Sequence, residues 1–142
     1  MADILHRIQI NSSPDKIYQA ILTANGLSNW WTKEVRTISQ LRSIAEFGFG
    51  TSVTKMSIDK LMTDQRIEWT CVDGPDEWIN THLFFDLTAE GSNTILRFGQ
   101  KDWRSASDFY CHCNTKWSYF LHSLKSYIEI GQGTPFPDDI KI

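Results

Sequence analysis

The sequence predicts an α+β fold of two layers, a curved antiparallel sheet gripping one long C-terminal helix. Between residues 35 and 100, stretches of period-two hydrophobicity follow one another with only short polar links. Sequential strands joined so briefly pair antiparallel, because a parallel pair needs a crossover of about a dozen residues or more. From about residue 105 to 130 the period changes: Phe109, Cys113, Trp117, Phe120, Leu121, Leu124 and Ile128 recur at helical spacing. Gly131, followed by Pro135 and Pro137, ends that run. At 1.5 Å per residue such a helix is about 39 Å long, enough to cross a sheet diagonally.

The elements follow in the order β-α-α-β6-α. In "ILHRIQI" Ile4, His6, Ile8 and Ile10 share one face, which makes a first strand. "NSSPDKIYQAILTANG" offers Ser13 as N-cap, Pro14 at the first helical position, Asp15 in the first turn and Gly26 as the stop, predicting a short helix. A second short helix is allowed before Trp30 and Trp31. Adjacent side chains point apart, so one of these rings is expected in the core and the other partly exposed. Six strands are predicted at 35–41, 44–49, 52–58, 66–71, 81–88 and 94–100, separated by turn residues in "TDQ", "DGPDE" and "EGSN". Ile67, Trp69 and Cys71 alternate with polar neighbours, as do Leu83, Phe85 and Leu87, and Leu96 and Phe98. One sheet face is therefore apolar, and the long helix covers it.

Composition bounds the function. A chain of 142 residues fits one domain, residues 1–142, burying about two thirds of its unfolded surface. With 41% hydrophobic and 22% charged residues it is neither disordered nor fibrous. A net charge of -3 argues against nucleic acid, whose phosphates call for clustered Lys and Arg. No apolar run approaches the roughly 18 residues of a membrane span, and no signal sequence is evident, so a cytoplasmic protein is expected. Cys71, Cys111 and Cys113 are odd in number and suggest reduced thiols. The 6 Trp, 8 Phe and 4 Tyr mean a bulky core or a pocket walled by rings.

The stretches "INSSPDKIYQAI", "LSNWW", "RIEWTC", "GSNTILRF" and "HCNTKWSYFLHSLKSYIEIGQGTPFP" resemble the START-like (SRPBCC) superfamily. Within it they are similar to the branch related to the activator of the heat-shock-protein-90 ATPase, over about Ile4 to Pro137. The resemblance implies a helix-grip fold around a hydrophobic cavity. Relatives include lipid-transfer domains and polyketide cyclases or dehydratases. The co-chaperone's stimulation resides largely in a separate N-terminal domain with an Asn- and Trp-rich motif, and "NWW" at Asn29 to Trp31 is not that motif, so the resemblance does not carry a chaperone partner onto this chain. Where relatives often place a His near the end of the last strand, Gln100 stands here.

Each chemical constellation has a structural reading beside it. Cys111, Cys113 and His122 are soft ligands, but on a helix positions 111 and 113 point about 200° apart and cannot share an ion, so neither a metal nor another cofactor is expected. His112 is about 100° from either thiol around the helix, poorly placed to activate a nucleophile. Glu68, His82 and Asp86 oppose the apolar faces of their strands and should meet solvent. Glu46 is the catalytic candidate. In "SIAEFGFG" both registers carry apolar residues, leaving its direction open, and burial among rings would suit it to acid or base chemistry. The aromatic set is the ligand-binding candidate: Trp69, Phe85, Phe98, Phe109, Trp117 and Phe120 with Cys113 between helix and sheet, and Trp30, Trp31 and Trp103 in connecting segments at a rim.

The expected function is binding of a small hydrophobic or amphipathic molecule between helix and sheet. The alternatives are a cyclase- or dehydratase-like enzyme, and an interaction domain for a chaperone or for its own copy in a homodimer.

Overall fold

Alternating strands need a partner on each side and a cover on one face, and the chain supplies both in sequence order. The computed structural model describes residues 1–142 as β1 (Ala2–Ile10), α1 (Pro14–Leu22), α2 (Ala24–Ser28), β2 (Glu34–Arg36), β3 (Ile44–Phe49), β4 (Ser52–Met62), β5 (Arg66–Asp73), a 3-10 turn (Asp76–Trp78), β6 (His82–Glu90), β7 (Asn93–Trp103) and α3 (Asp108–Ile130). One seven-stranded sheet runs β1-β7-β6-β5-β4-β3-β2. Every neighbouring pair is antiparallel, β2 to β7 forming a meander and β1 closing onto β7. This is the α+β helix grip that the hydrophobic periods predict.

The ends of α3 have identifiable chemistry. The Ser107 side chain accepts from the Tyr110 N–H at 3.1 Å and caps the start, later than the run of periodicity begins. Gly131, at φ 82°, adopts the left-handed conformation that stops the helix, its N–H donating to the Tyr127 carbonyl.

Four local expectations are corrected. Gly26 does not end α1; Thr23 does, capping α2 in turn by accepting from the Gly26 N–H at 3.0 Å. Gly26 is instead a close-approach residue, since a Cβ there would sit 2.5 Å from the Ala20 Cα. β2 stops at Arg36 because residues 37–43 turn through left-handed Ser39 and Arg42. Trp103 belongs to the end of β7 and is fully buried, its indole edge-on to Tyr110 at 5.3 Å.

Trp30 and Trp31 are both buried, their rings stacked at 6.2 Å. They lie in a turn with apolar surface on two sides, so neither ring is left for solvent. Trp30 donates its indole N–H to the Ala20 carbonyl of α1 at 2.8 Å, while Trp31 packs on Phe47 of β3 at 4.5 Å and Trp117 of α3 at 5.2 Å.

The middle of the grip is filled by rings. Trp31, Trp69, Phe85, Phe98 and Trp117 form a continuous series, with successive centroids 6.0, 5.1, 5.1 and 4.4 Å apart. A polar chain runs through it. Trp117 donates its indole N–H to the Gln100 side-chain oxygen at 2.8 Å, the Gln100 amide donates to the Thr81 hydroxyl at 3.1 Å, and Thr81 donates to the Trp78 carbonyl at 2.6 Å. Gln100 is fully buried, so each of these groups would otherwise lose its water without replacement.

Gln100→Leu is expected to lower stability by roughly 2 kcal/mol, because it orphans the Trp117 N–H while keeping bulk; the Thr81 hydroxyl loses the Gln100 amide but still donates to the Trp78 carbonyl. Adding Trp117→Phe removes that orphan, so urea denaturation of the double variant should show less than the sum of the single losses. Additive losses would mean that the chain contributes nothing as a unit.

Candidate functional site

The straight helix and the bent sheet part company at one end. α3 packs against β1 and α1, while its N-terminal half stands over the β4 and β5 end of the sheet, leaving a cleft of ≈ 710 Å³. Phe109, His112, Cys113, Lys116, Trp117 and Phe120 of α3 form one wall. Ser52, Val53 and Thr54 at the start of β4 face them, with Asp73 at the end of β5 and Gly74, Pro75 and Trp78 beyond it. Trp31, Phe49, Phe136 and Asp139 complete the lining.

Trp78 is placed by its own 3-10 turn. Its ring stacks on Trp117 at 6.1 Å, and its indole N–H donates to the Cys113 sulfur at 3.4 Å. Burial pushes the Cys113 thiol up to about 11, although the Trp78 hydrogen bond pulls the other way, so it stays protonated at neutral pH. Cys71 is likewise raised to about 11 by burial, but it belongs to the core.

The last residues fold back to make the remaining wall. Gly133 passes so close to the Asn29 carbonyl that a Cβ would lie 2.3 Å from its oxygen. Ser123 ties this passage down, donating to the Trp30 carbonyl at 2.9 Å and accepting from the Thr134 N–H at 2.7 Å. Phe136 then bridges to the turn after α2, its N–H donating to the Trp31 carbonyl at 2.8 Å and its carbonyl accepting from the Lys33 N–H at 3.1 Å. Asp139 pairs with Lys116 of α3 and, at 2.7 Å, with Lys141. Burial acts to raise the Asp139 pKa, but the hydrogen bonds from the two lysines outweigh it and hold the carboxyl below its ordinary value.

The sequence-derived candidates divide between core and cleft. Trp31, Phe109, Cys113, Trp117 and Phe120 line the cleft, and all of these but Phe109 are at the same time buried members of the core cluster. Trp30, Trp69, Phe85 and Phe98 are core, and Trp103 packs at the far end of β7. Ala45 and Phe47 take the inner register of β3, so Glu46 lies on the outer face, its register partners being Arg36 of β2 and Lys55 of β4. Glu68 and Asp86 also sit outside, clamping Arg66 at 2.6 and 3.2 Å. His6 points inward beside Phe98, away from the cleft, with its Nε2 buried and unpartnered. Cys111 is exposed while Cys113 is buried, and nowhere do three His, Cys, Asp or Glu side chains gather closely enough to hold a metal ion.

Sequence reasoning missed Trp78, Phe49, Lys116, Phe136 and Asp139. The one signal for Phe136 was an aromatic ring held between two prolines just past a helix stop.

No curated protein matches the chain. The sequence profile of the Activator of Hsp90 ATPase homolog 1-like proteins matches residues 11–129. Among solved structures, the Aha1 dimer from Colwellia psychrerythraea is 38% identical, with 94% of this chain and 100% of that one covered at a TM-score of 0.87. A Staphylococcus saprophyticus protein is 16% identical over 93% of this chain and 95% of its own, at a TM-score of 0.79. CalU16 from Micromonospora echinospora is also 16% identical, over 89% and 74%, at 0.74. The latter two share the fold alone. The profile and the Colwellia alignment together span nearly the whole helix grip, and the chain belongs to the Activator of Hsp90 ATPase homolog 1-like family.

Proposed function

We propose that the protein reversibly binds a small apolar or amphipathic molecule in the cleft between α3, the β4–β5 end of the sheet and the C-terminal segment. The observation that carries this reading is the division of the rings: the grip is closed in its middle and open at one end, where indoles and phenyl rings remain facing a space of ≈ 710 Å³. That volume falls within the roughly 300–1,000 Å³ of small-molecule sites. Apolar area taken from water there stabilises a complex by about 25 cal/mol per Å² before the costs of association.

Catalysis of the cyclase or dehydratase kind has less support from the lining. A general base needs a carboxylate or imidazole free to take a proton. Asp139 is held as an anion by two lysines and the Cys113 thiol is held neutral, so only Asp73, which accepts from the Gly74 N–H, and His112, stacked on Phe109, are left for such a role. Binding accounts for these groups without asking them to change protonation.

Titration with 1-decanol should quench tryptophan emission, because Trp31, Trp78 and Trp117 border the space. Ser52→Trp, at an exposed position on the rim, should fill the cleft and weaken decanol binding by about tenfold or more at unchanged melting temperature. Unchanged affinity in that variant would place decanol elsewhere.

Iodoacetamide near neutral pH should label exposed Cys111 first. Cys113 should react slowly, accelerating about tenfold per pH unit toward its pKa of about 11, and decanol should protect it. Rapid neutral labelling of Cys113 would contradict the raised pKa.

A second reading, assembly with its own copy, draws support from the Colwellia relative, which is described as a dimer at 38% identity. Light scattering of the 16.4 kDa chain should then return twice that mass, and a monomer mass at high micromolar concentration would remove this reading.

A further inference from the structure

The charges around the cleft narrow the ligand class, on the reading that the cleft binds one. Lys116 is the lysine of the lining, and its ammonium is already committed, pairing with Asp139 and donating to the Ile140 carbonyl. The Asp139 side chain is only 5% exposed and uses its other oxygen on Lys141, so a carboxylate ligand that took Lys116 would strip a buried anion of a partner. His112, the other basic residue of the lining, stacks on Phe109 at 6.1 Å.

The acidic side is less neutralised. Asp73 accepts from the Gly74 N–H at 2.9 Å and forms no ion pair, even with its cross-strand neighbour Lys55. Glu77 accepts from the Ser107 hydroxyl and likewise has no cationic partner. Glu77 is not itself part of the lining but directly precedes Trp78, and beyond the larger effects of burial and of the Trp78 hydrogen bond it pushes the Cys113 thiol further up. Two lining rings, on the Asp139 side, already carry the protein's own ammonium groups, whereas Trp78 and Trp117 carry none. Lys116 lies over Phe120 at 5.4 Å and Lys141 over Phe136 at 4.9 Å, both rings of the lining.

We propose that the cleft selects an organic cation: an amphipathic amine or quaternary ammonium compound whose apolar body lies on Trp78 and Trp117 and whose positive head sits among ring faces near Asp73 and Glu77. Ring quadrupoles and unpaired carboxylates attract the same charge, and the one lysine that could favour an anion is spent on Asp139.

Three probes of equal chain length separate the charge from the body: octyltrimethylammonium, 1-octanol and octanoate, each titrated below its aggregation range and read by tryptophan quenching. The ammonium should bind roughly tenfold tighter than octanoate, with octanol between them. In the folded Asp73→Asn/Glu77→Gln double variant, checked by circular dichroism, the ratio of ammonium to octanoate affinity should fall toward one. Octanoate binding as tightly as the ammonium, or an undiminished ratio in that variant, overturns the cation assignment while leaving the cleft as a binding site. If none of the three binds, or if Ser52→Trp changes none of their affinities, the cleft reading itself fails and the assignment with it.

Discussion

A single indole N–H sets the terms for this fold. Trp117 brings a ring of large area into the centre of the grip, and with it a donor that must be satisfied far from water. Gln100 of β7 meets it, Thr81 meets Gln100, and the Trp78 carbonyl meets Thr81. Helix, last strand and 3-10 turn are thereby locked in one register. Apolar packing alone would allow α3 to slide or roll on a greasy sheet; a directional chain of hydrogen bonds does not. Because Trp78 both ends that chain and stacks on Trp117, the bond that orders the core also sets the wall of the cleft.

The same aromatic wealth thus serves two ends. Beneath the middle of α3 the rings close on one another at ordinary contact distances and leave no room. Toward its N-terminus they continue outward, from Trp117 to Trp78 and on to Phe109, and there the space opens. The start of β4 and the 3-10 turn with Trp78 border that space, and the C-terminal segment bridges back to Thr32 through Phe136 to finish the enclosure. The cleft is where a packed core runs out of partners, and its polar groups collect at that margin.

Much of this architecture was legible in the sequence because it follows from periods. Alternation in Ile67, Trp69 and Cys71 and in Leu83, Phe85 and Leu87 depends on two-sided geometry that any strand shares, and the stripe through Cys113, Trp117 and Leu121 depends on helical pitch. The division between core and cleft obeys no period. Phe98 and Phe120 each fall on the apolar side of their element and both join the buried cluster, and only the place where helix and sheet separate gives Phe120 a face on the cleft as well. Trp30 and Trp31 escaped for a related reason: exposure was inferred from one layer, whereas α1 and the sheet cover them from two sides. Residues 131–142 show neither alternation nor helical spacing, and their return to Trp31 and Lys116 rests on particular partners: Ser123, the Trp31 and Lys33 backbone, and Asp139.

The shared family profile ends at residue 129, whereas Phe136 and Asp139, which finish the enclosure, lie beyond it. Their segment contributes little to the central aromatic series and is fastened at a few discrete points. Changes at Phe136 or Asp139 would reshape that wall directly, at the expense of the bonds that fasten the segment. The wall of the cleft is thus fastened by hydrogen bonds and ion pairs of its own, separate from the chain through Gln100 that orders the grip.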